Sequence, residues 1–167
     1  MKKKFRVKDL PLPVLPDDDI FFAEDEKTVK TGVVESVGLN EEGQLLIICE
    51  GAEYQVGTRD RVFFTREDAQ RYLENPSAFT EDYGILQDYG SLKLPVYPGN
   101  EYFFCDFNAL DGRWEIFPDY YTCVFFDGDG SVRVRNGDCE STVIGKSTDP
   151  CFDTLRKAKA YIRSQGW

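Results

Sequence analysis

The stretch "LPLPVLPDDDIFF" occupies residues 10–22, and "LKLPVYPGNEYFF" occupies residues 92–104. Leu12-Pro13-Val14 returns as Leu94-Pro95-Val96, Pro16 as Pro98, and Phe21-Phe22 as Phe103-Phe104. A second correspondence closes each copy. Phe63, Thr65, Ala69, Tyr72 and Leu73 match Phe152, Thr154, Ala158, Tyr161 and Ile162. The openings lie 82 residues apart (103 minus 21) and the endings 89 (152 minus 63), so the second copy carries about seven more residues. Most of them fall between Phe104 and Asp127. The chain reads as a tandem duplication.

Each copy can be followed inward from these ends. In the first, residues 19–23, 30–39, 44–50 and 53–57 read as strands, with "NEEG" (40–43) as a turn. In the second, 120–126, 131–135 and 141–145 read as strands, with "DGDG" (127–130) between the first two. Thr65 and Thr154 are placed to cap helices, each hydroxyl accepting from an orphan backbone N–H, and Asp68 stands three residues on as in a capping box. Ala69, Tyr72 and Leu73 then share a helical face, as do Leu155, Ala158, Tyr161 and Ile162. Asn75-Pro76 ends the first helix. The organisation expected is a β-β-β-β-helix unit over 1–74, a connector over 75–91, and a second such unit over 92–167. Three aromatics make the connector a poor free linker, so it is expected to lie against the body.

A unit of this size buries a marginal core alone, so the two are expected to pack together. The fold class is therefore α+β, mostly β, with two tandem small SH3-like or bent-sheet β units, each closed by a C-terminal helix. Val56-Gly57 and Phe63-Phe64-Thr65-Arg66-Glu67-Asp68-Ala69 carry a resemblance to a short, uncharacterised small-barrel (SH3-like) unit found in Firmicutes and their phages and mobile elements. Ile144-Gly145-Lys146 with Cys151-Phe152-Asp153-Thr154 matches that ending more loosely, and Leu155-Arg156-Lys157 departs from its Arg-Glu-Glu pattern. The resemblance implies a fold and a genomic setting. It carries no activity.

Composition narrows the function classes. With 41% hydrophobic and 14% aromatic residues the chain has enough to pack a core. No run of about 18 apolar residues occurs. The basic start is followed by prolines and aspartates rather than an apolar stretch, so no secretory signal is read there. The five cysteines (Cys49, Cys105, Cys123, Cys139, Cys151) are odd in number and scattered, which fits free thiols in a reducing cytoplasm. Net charge is −10, unevenly spread: 11 basic and 30 acidic residues fall between Asp9 and Thr154, while nine cations sit at the two ends. An acidic body repels a phosphate backbone, so no direct duplex nucleic-acid binding is expected of it, and no membrane partner.

The chain has no histidine. That removes Ser–His and Cys–His activation and histidine metal sites. No phosphate-cradling glycine loop is present, and no cysteines are paired at zinc spacing. No cofactor, no metal and no enzymatic activity are expected. "DGDG" lacks the later ligands of a calcium loop and reads as a hairpin turn.

Two candidate sites remain. Arg113, Trp114, Phe117, Tyr120 and Tyr121 gather aromatics and an Arg where the copies diverge, the residue types that anchor protein interfaces. The same rings could instead fill the second barrel. Asp17, Asp18, Asp19, Glu24, Asp25 and Glu26 flank the first strand and could mimic nucleic-acid phosphates, or could simply keep the surface soluble. The function expected is a non-enzymatic protein-interaction module of bacterial or phage origin, with an unidentified protein partner. The alternative is an acidic nucleic-acid mimic that inhibits a host defence enzyme.

Overall fold

A computed structural model describes residues 6–25, 27–135, 142–143 and 150–166. The fold is mostly β with two α-helices. The first half contributes β1 (Asp19–Ala23), β2 (Val29–Val33), β3 (Ser36–Asn40), β4 (Leu45–Cys49), β5 (Ala52–Gln55), β6 (Val62–Phe63) and α1 (Arg66–Glu74). The second contributes β7 (Glu101–Asn108), β8 (Arg113–Tyr120), β9 (Cys123–Asp127), β10 (Val132–Arg135), β11 (Thr142–Val143), β12 (Cys151–Phe152) and α2 (Leu155–Ser164). Element order is the same in both halves. Six strands precede each helix among the described residues, where the sequence pattern gave four.

Strand pairing repeats as well. One open sheet is β2-β1-β6 and another β8-β7-β12. The third runs β5-β4-β3-β9-β10-β11, so the halves meet at β3 and β9. These two pair antiparallel, Ser36 opposite Asp127, Gly38 opposite Phe125 and Asn40 opposite Cys123. The third residue of β3 therefore faces the third residue of β9. The join is a local two-fold.

The expected strand 30–39 is two strands. At Val34-Glu35 the chain leaves one sheet for another: Asp17 N–H bonds the Val34 carbonyl, Val34 N–H the Asp18 carbonyl, and Glu35 N–H the Ile48 carbonyl. The same corner recurs as Gly99 N–H to Tyr121 O, Tyr121 N–H to Asn100 O, and Thr122 N–H to Arg135 O. The core-facing positions shift by one residue at the bend, from Val34 to Val37 and Leu39, so strict alternation does not continue through it.

The main core lies between the sheets and draws on both halves, including Ile20, Val37, Leu39, Ile47, Val62, Tyr121, Val124, Phe126 and Cys151. Strand β4 is apolar along its length because both of its faces are covered. Leu45 and Ile47 face the core, while Leu46 and Ile48 join Phe125 and Cys123 on the outer face. Phe125 is roofed by Arg133 and Arg135, whose guanidinium carbons lie 5.4 and 5.2 Å from its ring centre. Arg133 is held by a bidentate pair to Asp127, whose carboxylate also takes the Ser36 hydroxyl from the other half.

Both helices start where the threonines put them. Thr65 Oγ1 accepts the Asp68 N–H at 3.1 Å, and Thr154 Oγ1 the Lys157 N–H at 3.2 Å. The Asp68 carboxylate does not reach back to close a capping box; it takes the Tyr83 hydroxyl at 2.8 Å. Tyr83 belongs to the connector, which lies along the first half. Gly84 and Leu86 bond Leu45 and Gly43 through backbone groups, and a Cβ on Gly84 would stand 2.1 Å from the Val56 carbonyl oxygen. Gln44, buried here, donates its side-chain amide to the Leu45 and Val56 carbonyls at 2.9 and 2.7 Å.

Candidate functional site

The aromatic stretch is not a loop insertion. Residues 113–120 form β8, paired along its whole length with β7 in an eight-by-eight hairpin, where β1 and β2 pair five by five. Register shows where the extra residues go. Phe22 faces Lys30 and its counterpart Phe104 faces Phe117, so the offset grows from 82 on β1 (104 minus 22) to 87 on β2 (117 minus 30). Five of the additional residues lengthen this hairpin beyond its partner in the first half. Its tip is set by Asn108: the side-chain oxygen accepts the Leu110 N–H at 3.0 Å, and Gly112 closes the turn at φ 66°.

Direct cross-strand neighbours share a face. Trp114 and Tyr120 lie on the side of Phe107 and Cys105, and the Cys105 thiol points at the Ala158 carbonyl of α2, 3.7 Å away. Trp114 is half-buried, edge-on to Phe107 and to Tyr161 of α2, each at 5.5 Å. It clamps the helix to the hairpin. Arg113 and Phe117 are on the opposite side; Arg113 is exposed and faces Asp111 at 3.9 Å. Phe117 is 47% exposed and Tyr120 58%.

Tyr121 is corrected from a candidate surface anchor to a core residue. It is 1% exposed and stacks on Tyr102 at 4.4 Å, because it sits at the sheet-changing corner where the first half has the buried Val34. Burial pushes its phenol well above the usual range, and among the described residues its hydroxyl has no hydrogen-bond partner. The sequence reading also missed Phe107, 41% exposed, and Leu110, 97% exposed at the tip. The signal available for them was the position of the added residues, which lie on both strands of the hairpin.

The acidic candidates do not gather into one site. Asp17, Asp18 and Asp19 precede or open β1, and Glu24 and Asp25 follow it, roughly 17 Å away along a five-residue strand. Asp17 is a turn residue at φ 74°. Asp18 accepts the Leu15 N–H at 2.8 Å, and Asp25 accepts those of Lys27 and Thr28 at 2.9 and 2.8 Å. The bond from Lys27 is the main reason the Asp25 carboxyl lies below its ordinary value. Asp19 and Glu24 are exposed. Glu26 lies outside the described residues.

Four cysteines, Cys49, Cys105, Cys123 and Cys151, are free and buried; Cys139 lies outside the described residues. Burial pushes the Cys151 thiol up to about 12, with Cys105 and Asp153 adding to it, and raises Cys105 too. Such thiols are poor nucleophiles at neutral pH. Among the described residues no cluster of His, Cys, Asp or Glu is arranged to hold a metal, and no helix is long and apolar enough to cross a membrane. Compared with protein-family models, curated proteins and solved structures, the chain finds no match.

Proposed function

We propose that the chain is a non-enzymatic protein-interaction module made of two tandem SH3-like units, and that it presents the β7–β8 hairpin to a protein partner. In each half a bent strand serves two sheets and a short last strand returns to pair with the first, which supports the small-barrel reading. The observation that carries the functional reading is where apolar surface collects. Of the six exposed large hydrophobics among the described residues, Phe107, Leu110, Phe117 and Tyr120 lie on this one hairpin. Exposed apolar residues on a supported element mark interaction sites, and aromatics dominate their energetics; here they occupy both faces of the hairpin and its tip. Strand β8 is also a sheet edge, blunted by Pro118. The absence of histidine and the high thiol values support a non-catalytic role. A bacterial or phage cytoplasm is the setting the sequence resemblance supports.

The test is capture of proteins from a bacterial lysate by the immobilised full chain across a salt series, repeated with Leu110→Asp and Tyr120→Ala. Both sites are exposed, so melting should move by less than about 0.5 kcal/mol. Capture should fall about tenfold or more in each variant and persist at high salt, since apolar contacts are not screened. Capture unchanged by either variant would exclude the hairpin. A basic nucleic-acid enzyme released as salt rises would favour acidic mimicry instead. Trp114→Ala serves as the packing control and should cost about 2 kcal/mol, less than a fully buried ring.

A further inference from the structure

A cavity of about 240 Å³ opens in the first half, between β1–β2 and β4–β5, away from the proposed hairpin surface. Its apolar wall is the edge-to-face pair Phe22 and Tyr54, ring centres 4.9 Å apart, with the Cys49 thiol beside them. Burial, then the Glu50 carboxylate, raises that thiol, so the wall is uncharged. Gly32 adds only backbone, since a Cβ there would press on Cys49 Sγ at 2.7 Å. The space is below the ~300–1,000 Å³ of drug-sized sites and suits a ligand of about one ring.

Lys30 and Arg61 line this cavity. Cations are scarce in this body, 11 against 30 acids between Asp9 and Thr154, and two converge here. The fold does not require them. Lys30 is replaced in the second half by Phe117, and Arg61, whose carbonyl takes the Ala23 N–H, by Pro150, whose carbonyl takes the Cys105 N–H. Arg61 is held at some expense of stability. Its backbone is left-handed at φ 58°, and its Nε–H is buried with no acceptor among the described residues. Its guanidinium rests over Tyr72 and its charge helps to lower the nearby Asp25 carboxyl, though among the described residues it forms no ion pair. Strain of this kind collects at binding sites.

The mouth also carries Glu24, Glu50 and Asp60. Lys30 faces Glu50 at 3.9 Å, and Asp60 takes the Gln55 N–H at 2.7 Å. Three carboxylates stand against two cations in this lining, so a multiply charged anion is repelled more strongly than a singly charged one. We propose that the cavity is a binding site for a small ring-bearing monocarboxylate, its carboxylate held by the Arg61 guanidinium with Lys30 and its ring lying on Phe22 and Tyr54.

Titrating the full chain with benzoate, followed by backbone amide NMR, tests this. Saturable shifts are expected at Gly32, Glu50 and Tyr54, with Kd on the order of 1 mM. Arg61→Gly removes the guanidinium and relieves the left-handed backbone, so melting should hold or rise while benzoate binding weakens about tenfold or more. Lys30→Met, at an exposed strand position, should weaken binding without touching that loop. Inorganic phosphate should give no saturable shift. The proposal is overturned if benzoate gives no saturable shift at these amides, if both variants bind it as well as the parent chain, or if phosphate or benzylamine binds more tightly than benzoate.

Discussion

The two halves share a frame and differ in what they hang on it. Both bend one strand from sheet to sheet through the same three backbone hydrogen bonds, and both close with a threonine-capped helix. The first half keeps a short β1–β2 hairpin, lines a cavity with Lys30 and Arg61, and fills its core corner with Val34. The second lengthens the hairpin, exposes apolar residues on it, and puts Tyr121, Cys105 and Cys151 where the first has Val34, Ala23 and Val62. Backbone hydrogen bonding was held fixed while the side chains diverged. Shared positions mark folding requirements, and differences mark candidates for function.

The place where the halves must differ is the axis between them. Gly38 and Phe125 are equivalent residues that face each other across β3 and β9, and a Cβ on Gly38 would stand 2.5 Å from the Phe125 ring. Two large side chains cannot occupy that spot. One ring over one bare backbone fills it. Gly38→Phe, which makes the axis symmetric, should therefore destabilise by about 3 kcal/mol or more through overpacking. Phe125→Gly should lose about as much by leaving a cavity under Arg133 and Arg135. The exchange Gly38→Phe with Phe125→Gly should recover at least about 1 kcal/mol relative to the sum of the two. Additive losses in urea unfolding would show that the two positions are not complementary across the axis.

Much of this frame was legible in the sequence, because it is local. The repeated Leu-Pro-Val and Phe-Phe segments, the Thr caps and the Ala–Tyr helix faces each repeat within a few residues. What was not legible depends on partners distant in the chain. Strands β2 and β3 look like one strand until Asp17, Asp18 and Ile48 claim its two ends. The run 45–49 is apolar throughout because Phe125, some eighty residues away, covers its outer side. Tyr121 and Tyr120 are adjacent aromatics of the same type, yet one is core and one surface. Register alone separates them, and a one-residue step reverses the face. The cavity required both sheets to be in place before Lys30 and Arg61 could be seen to meet.

The polar character of the second core gives the next test. The Cys151 thiol stays protonated in the fold up to about 12, against 9.0 ordinarily, so the unfolded chain ionises first. Its contribution is complete below about pH 9 and is lost as pH rises toward 12, at up to about 1.4 kcal/mol per unit. Raising pH from about 9 to about 10.5 under reductant should thus cost about 2 kcal/mol from this group. Cys151→Val copies the first half, where Val62 occupies the place, and should flatten the profile there. An identical alkaline slope in the parent and the variant would mean that other groups, such as the buried Tyr121, control it.

The smallest expected effect lies at the corner before β1. Asp17 and Gly99 occupy equivalent places, each donating its N–H to the corner residue of its own half, and both have left-handed backbone at φ 74° and 85°. Glycine enters that region without a steric penalty, whereas an L residue pays one, reduced for Asp by its short side chain. The Asp17 carboxylate makes no described hydrogen bond that would offset the strain, while the neighbouring Asp18 carboxylate caps Leu15. Asp17→Gly should therefore stabilise the chain by about 0.5 kcal/mol, the relief of strain exceeding the added freedom of the unfolded glycine. Asp18→Gly, one residue on, removes the cap and should destabilise by about 1 kcal/mol. Opposite signs from adjacent aspartates, read by chemical unfolding at neutral pH, would assign both to the backbone of the corner. If Asp17→Gly instead destabilises while also abolishing capture of a partner, the aspartate is held in its strained position for recognition, and the two corners differ in function as well as in residue.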